Sequence, residues 1–506
     1  MKLAGTGLLL AVCAMAAAHD VRRYGARGDG VTDDTAAIQK AIDAAAAQGG
    51  GTVRLPPGRF RSGTLRLRDH LTLDLSAGAV LLASPDDRAF APYEKLTFTP
   101  VDDRETTYFD FALLTAEGVS GLTIEGQGVI DGNRTRRGGP KTIAIKGSRH
   151  VAIRGVTIAN SPNYSISLLG TDHVDIDGVT ILNGYSDGID PDCSRYVRIA
   201  NSYIDAWDDA ICPKSSQALG YPRATEYLTV TNCITRTSCN HFKLGTESRG
   251  GFRHITVSNL VMRSRDRGRP AIAGIALETV DGAVAENIAI SNVTMENART
   301  PIFVRLGNRG RGMTLPQPGV LRNIAIANVV ASGGTLASSI TGLPGHRVEE
   351  VTLSSIHLGM RGGGQRRDLD VPEHPDKYPD ADMFGELPAS GLYVRHAAGL
   401  VLRDVRVRTV LADPRPALVL DDVQHVDVHG FAAPPVDGPQ MLWRDVAGAL
   451  VSGVRLTGTM PVFLRLLGAG SRDVALAGND LRGARAVVET GAGTPRGAWR
   501  EAAGIR

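Results

Sequence analysis

Aromatic side chains are scarce in this sequence, at 5%, and no basic block interrupts its spread-out charge, a formal +3. The second absence excludes nucleic acid as an expected partner, because an electrostatic footprint on a polyanion needs clustered Lys and Arg. Beyond the N-terminus no run approaches the roughly 18 apolar residues of a membrane span, so none is expected. Cysteine is also sparse: after Cys13 there are only Cys193, Cys212, Cys233 and Cys239. A chain of 506 residues can build a core without a disulfide framework. These four are either buried hydrophobes stacked between neighbouring turns or include one bridged pair.

Glycine is plentiful, at 59 residues, and 42% of the chain is hydrophobic. A Gly-rich, aromatic-poor and β-branched composition suits stacked strands joined by many turns better than helices. The opening "MKLAGTGLLLAVCAMAAAHD" has one Lys, an apolar run, then Ala14, Ala16 and Ala18. It is read as a bacterial-type signal peptide over residues 1–18, and the protein as secreted or periplasmic.

A short motif then recurs: apolar, x, apolar, x, small residue or Asn. It reads "LTIEG" at Leu122, "VAIRG" at Val151, "VDIDG" at Val174, "VRIAN" at Val197, "LTVTN" at Leu228 and "ITVSN" at Ile255. Further copies start at Ile288, Ile324, Val351 and Leu400, with weaker ones at Val426, Leu450 and Val474. The tightest spacing is 23 residues and one gap reaches 49. Alternating apolar positions bury one face of each strand. A period in the low twenties with variable insertions marks a solenoid whose coils stack to share one core. The expected fold is therefore all-β: a right-handed parallel β-helix over residues 61–506. Residues 19–60 precede it as a cap segment, in which "TDDTAAIQKAIDAAAAQGGGTV" predicts a short helix started by Asp33 or Asp34 and ended by Gly49–Gly51. The longest inserted loop, 360–392, either builds a cleft wall or shields the coils.

Six aspartates crowd residues 185–215: Asp187, Asp190, Asp192, Asp205, Asp208 and Asp209. Asp187 lies one coil before Asp208 and Asp209, so the three would stack at about the 4.8 Å spacing of parallel strands. Packed like charges raise a carboxyl pKa, and an acid beside ionised carboxylates is what glycosidic cleavage requires. The same residues could instead satisfy backbone N–H groups at turns or bind calcium.

"SDGIDPDCS", "WDDAICPKS" and "CNHFKLGTESRGG", in that order, resemble glycoside hydrolase family 28, the polygalacturonases and rhamnogalacturonases. "VRRYGARGDGVTDDTAAIQKAIDAA" resembles the opening of the wider pectate lyase-like superfamily. The resemblance implies a glycosidase acting on a pectic polysaccharide or oligosaccharide with inversion, as a monomer needing no cofactor or metal. It makes Asp208 the general acid and gives Asp187 and Asp209 the attacking water, with His241 supporting the acid. Lys214 and Lys243 would contact a substrate carboxylate or pair with the local aspartates. The family's Arg-Ile-Lys is replaced by "GIALETVDG", where Ala276 and Glu278 stand for the two cations. A Glu there should repel a uronate. Arg305 and Arg309 are candidates to restore the charge, and Glu278 and Glu247 to bind hydroxyls. The alternatives are a polysaccharide lyase, disfavoured by the lack of a second cation among the aspartates, and a non-catalytic glycan-binding β-helix. The latter has only Tyr185, Tyr196, Tyr203 and Trp207 to offer as stacking surfaces nearby.

Overall fold

The computed structural model describes residues 18–501 apart from residue 267, so nearly all of the N-terminal leader, Cys13 included, lies outside the described residues. The chain winds into a right-handed parallel β-helix in which all the strand ladders are parallel. The repeat positions stack directly: Leu122 on Val151, Val151 on Val174, Val174 on Val197, Val197 on Leu228 and Leu228 on Ile255. One register differs from the sequence reading, because Val426 pairs with Ala449 and not with Leu450. Ala449 and Val451 point inward there, and the larger Leu450 is the outward residue.

The inward residues form one continuous core running from Val21 to Ala498. The Asn that ends a repeat motif bends the coil with positive φ, as at Asn201 (54°), Asn232 (55°), Asn259 (57°) and Asn292 (57°). Asparagine tolerates that conformation, and its amide joins the next coil: Asn232 Nδ2 donates to Asn201 Oδ1 at 3.2 Å, and Asn259 Nδ2 to Asn232 Oδ1 at 3.1 Å.

Helix α1, Thr35–Ala47, covers the N-terminal end with Ile38, Ala41, Ile42 and Ala45 buried. Asp33 accepts the Thr35 N–H at 3.0 Å, whereas Asp34 turns back to the Arg27 and Gly28 amides. The ladder already begins at His19–Asp20 paired with Gly51–Leu55, and Gly58–Ser62 pairs with Ala79–Ala83, so no structural break falls at residue 60. The four cysteines among the described residues are free; Cys193, Cys212 and Cys233 are buried and Cys239 partly so. Among the described residues no helix is long and apolar enough to cross a membrane.

A separate five-stranded sheet takes one strand from successive coils, Leu65–Arg66, Ala112–Glu117, Lys141–Lys146, Ile166–Leu169 and Ile189–Asp192. Single bridges at Ile211 extend this sheet to Asn240–Leu244, then to Ala273–Thr279 and Thr300–Leu306. The candidate site lies on it.

Candidate active site

The Asp-Gly step builds the site through a close approach. A side chain at Gly188 would strike the Ala210 carbonyl at 2.4 Å, so only glycine lets the next coil come this near. Gly188 N–H then donates to the Asp209 carbonyl at 2.9 Å, which sets Asp187 beside Asp209. The Asp209 N–H is shared between Asp187 Oδ1 at 3.2 Å and Asp208 Oδ1 at 3.1 Å. Three carboxylates thus converge on one cleft, which Asp103, Arg137, Tyr164, Lys214, Lys243, Gly245, Thr246, Glu247, Arg311 and Tyr378 also line.

The six aspartates have separate environments. Asp205 is paired by Arg236 at 3.2 Å and by Arg265, and Asp192 accepts the Ser216 N–H at 2.8 Å and its hydroxyl at 2.5 Å. Lys214 Nζ lies 2.7 Å from Asp187 and 2.5 Å from Asp190. Burial pushes the Asp187 carboxyl well up, with Asp190, Asp208 and Asp209 adding to it against Lys214. Asp190 is pushed up to about 6, again chiefly by burial. Burial presses on Asp209 too, but Lys243, 3.2 Å away, and Lys214 together with hydrogen bonds from Asn240 hold it at about 2. Asp208 is the most open of the three, with its side chain 26% exposed and in an ion pair with Arg137. The cleft therefore combines one firmly ionised carboxylate, one proton-prone carboxyl and one that faces the solvent.

Asp187, Asp190 and Cys212 bring metal-ligand atoms within 4.8 Å of one another. The Lys214 ammonium already fills that role: it binds both carboxylates and approaches Cys212 Sγ at 3.2 Å. Lys243 and Arg137 serve Asp209 and Asp208 in the same way. The expected shortage of cations among the aspartates is thereby overturned, and with it that argument against a lyase. Trp207, one of the few aromatics available for sugar stacking, has the Arg265 guanidinium 4.0 Å from its ring centre.

Several sequence candidates stand elsewhere. His241 is fully buried, with Nδ1 2.8 Å from the Thr235 hydroxyl, no partner on Nε2 and no hydrogen bond to Asp208. Burial lowers its pKa to about 3, so the ring is neutral. Glu278 does not line the cleft but sits behind Gly245, where a side chain would come within 3.5 Å of its carboxylate. Burial drives its pKa well up, and neither oxygen has a hydrogen-bond partner, so the carboxyl does not meet a substrate uronate from inside the cleft as expected. Ala276 packs in a cluster with Ile272, Phe303, Ala381 and Met383, beneath the inserted loop, where a cation could not be solvated. Arg305 donates to the Glu373 carbonyl at 2.7 Å and the His374 carbonyl at 3.2 Å. Arg309 grips Asp281 at 2.6 Å and the Thr246 carbonyl at 3.0 Å. From the same insertion Arg311 does line the cleft, 2.7 Å from Glu247 and 3.5 Å from Asp102. Sequence reasoning missed Arg311, Arg137 and Tyr378. The one available signal was the run of arginines in "GNRTRRGGP", an insertion two coils before the aspartates.

A parallel β-helix with paired carboxylates in a cation-flanked cleft on its side is the architecture of a carbohydrate-cleaving enzyme. The chain belongs to glycosyl hydrolases family 28, whose family model matches residues 94–372, more than half of its length, and it is a glycosidase. Residues 18–73 match a second model, rhamnogalacturonase A/epimerase, pectate lyase-like. A probable polygalacturonase of Vitis vinifera is 26% identical over 67% of this chain and 74% of its own. An exo-poly-alpha-D-galacturonosidase of Dickeya chrysanthemi is 24% identical over 64% of each. In structure, an exopolygalacturonase from Thermotoga maritima superposes with a TM-score of 0.58 at 23% identity, covering 67% of this chain and 87% of that one, a likeness of fold.

Proposed function

We propose that the cleft hydrolyses glycosidic bonds in galacturonate-containing pectic chains, working from a chain end. Asp208 gives a proton to the leaving oxygen, and Asp187 with Asp209 takes one from the attacking water. The observation that carries this reading is the unequal trio: an open Asp208 beside an Asp209 held at about 2 by Lys243 and Lys214. An acid and a base with environments set apart is what the reaction asks of its two groups.

Action from the end is supported by the inserted segment 361–391, which lies along the sheet beyond the cleft. Arg305, Arg395 and Arg444 hold it: Arg395 pairs with Glu373, and Arg444 lies 2.7 Å from Asp370. Tyr378 of this segment closes over Lys243, with its hydroxyl 3.4 Å from Nζ. A segment whose Tyr378 lines the cleft narrows that side, which favours a chain terminus over the middle of a polymer. The names of the Vitis and Dickeya relatives support the choice of polygalacturonate. Product analysis tests it: monosaccharide or a single short product from the first minutes is expected, and a ladder of oligosaccharides with a fast fall in viscosity would contradict it.

The family pattern implies inversion. Asp187 and Asp208 share one amide here, closer than the roughly 6.5–9.5 Å usual between the carboxyls of inverting enzymes. The first-formed anomer, read by NMR, is accordingly a direct test, with inversion as the expected outcome. Export is proposed from the N-terminal sequence, and sequencing the mature N-terminus checks it.

A further inference from the structure

Arg137 reaches the cleft from the loop 132–140 and bridges two carboxylates. Its Nε donates to Glu105 Oε1 at 3.0 Å and its Nη2 to Glu105 Oε2, while Nη1 binds Asp208 Oδ2. Glu105 belongs to the short helix α2, Arg104–Thr107, and also accepts from the Ser186 hydroxyl at 3.2 Å. The guanidinium is thus held by a two-point fork on Glu105 and touches the proposed acid with the nitrogen left over. It is also half exposed, at 49%, and lines the cleft.

This arrangement sets a problem for the chemistry. An arginine bound to a carboxylate occupies the oxygen that must carry the proton when that group acts as an acid. The other groups facing Asp208 are carboxyls and a thiol: Asp187 from the preceding coil, the adjoining Asp209, Cys239 from the following coil and Asp380 from the inserted segment. Asp103 lines the same cleft. Lys243 and Lys214 are already engaged, with Asp209 and with the Asp187–Asp190 pair. Arg137 is therefore the one cation bound to Asp208 among the described residues.

We propose that Arg137 is a specificity-determining residue that changes partners on binding: a uronate carboxylate of the substrate takes the guanidinium from Asp208, and Asp208 then becomes the acid. The exchange replaces one carboxylate by another on the same nitrogen, so the ion pair is conserved, and Glu105 keeps Arg137 in place meanwhile. Left among carboxylates and a thiol, Asp208 takes one proton from solvent. It passes this proton to the leaving oxygen as the glycosidic C–O bond breaks, and the attacking water supplies the new C–O bond and gives its proton to the Asp187–Asp209 pair. One water is consumed per bond. A neutral sugar in the same position leaves Asp208 paired with Arg137, so discrimination appears in the chemical step.

The inference rests on Asp208 being the acid. The test is the pH dependence of kcat and of kcat/KM for the full chain on a galacturonate oligosaccharide and on its methyl ester. The alkaline limb of kcat/KM reports the acid in the free enzyme, and that of kcat reports it in the complex. In the wild type on the free acid, the kcat/KM limb should lie lower by about one pH unit or more, the shift an adjacent cation produces. In Arg137→Gln the two limbs should coincide, and the preference for the acid over the ester should fall by about tenfold or more, one pKa unit being a tenfold change. Coincident limbs in the wild type, which require no variant to fold, would overturn the exchange. So would an Arg137→Gln enzyme that keeps both the separation and the preference. Wild type inert on both substrates would overturn the hydrolase reading itself, and the exchange with it.

Discussion

In the coils of residues 187–247 and in those of residues 305–444 the same sheet carries charged side chains away from solvent, but the two regions satisfy them differently. In the later coils three arginines each end on more than one partner. Arg395 reaches Glu373 and Asp421, Arg444 reaches Asp421 at 2.8 Å and Asp370 at 2.7 Å, and Arg305 caps two carbonyls. Those charges hold the inserted segment down. In the earlier coils carboxylates crowd together, and each is left in a different state: Asp187 pushed up, Asp209 held at about 2, Asp208 open to the cleft. Symmetrical pairing makes a fastening, whereas unequal pairing of like groups makes an acid and a base.

The largest expected effect is on the unequal side. Asp208→Asn removes the acid but keeps the side-chain shape, so kcat should fall by about 10²-fold or more, with little change in Tm. An active variant would break the comparison at its centre. Lys214→Met comes next: it strips the cation from the buried Asp187 and Asp190, and losing one partner of a buried pair costs about 3–5 kcal/mol. Denaturant unfolding should show this, and a loss below about 1 kcal/mol would mean that the pair relaxes into water.

On the fastening side, Arg444→Ala should cost less, about 1.5–3 kcal/mol for hydrogen bonds to charged groups. It should also lengthen the products, because a loosened segment reopens the groove; an unchanged product pattern would detach the segment from end-selectivity. The smallest effect concerns Lys141, fully buried between Ser167 at 3.0 Å and the Phe109 ring, its pKa lowered to about 7 by burial. Its pKa in the unfolded chain is 10.5, so the unfolded state holds more protons between pH 7 and 10.5 and stability rises across that window. The cost of the buried ammonium is complete below pH 7. Lys141→Met should therefore raise Tm more at pH 6 than at pH 9, and an equal change at both would contradict the assignment.

The fold was legible because burial on one face of a strand writes itself into alternate residues, and Gly or Asn marks many of the left-handed turns. Only where apolar residues stand side by side, as at Ala449, Leu450 and Val451, did the pattern admit two registers. The carboxylates were legible for a related reason: Asp187 and Asp209 sit on coils whose spacing fixes their separation. What the sequence hid comes from insertions. Arg137, Arg311 and Tyr378 arrive on loops whose paths no periodicity encodes, and the segment 361–391 covers Ala276 from outside. Glu278 and His241 were misplaced for the same reason, since a residue's position in a motif does not say which wall stands between it and the cleft.

The most direct measurement is sugar release from polygalacturonan and from rhamnogalacturonan oligosaccharides by wild type and Asp208→Asn, with the fold of both checked by circular dichroism. Release from polygalacturonan by the wild type, abolished in the folded variant, is the predicted result. Equal release by both proteins, or none by either on both substrates, would contradict the account.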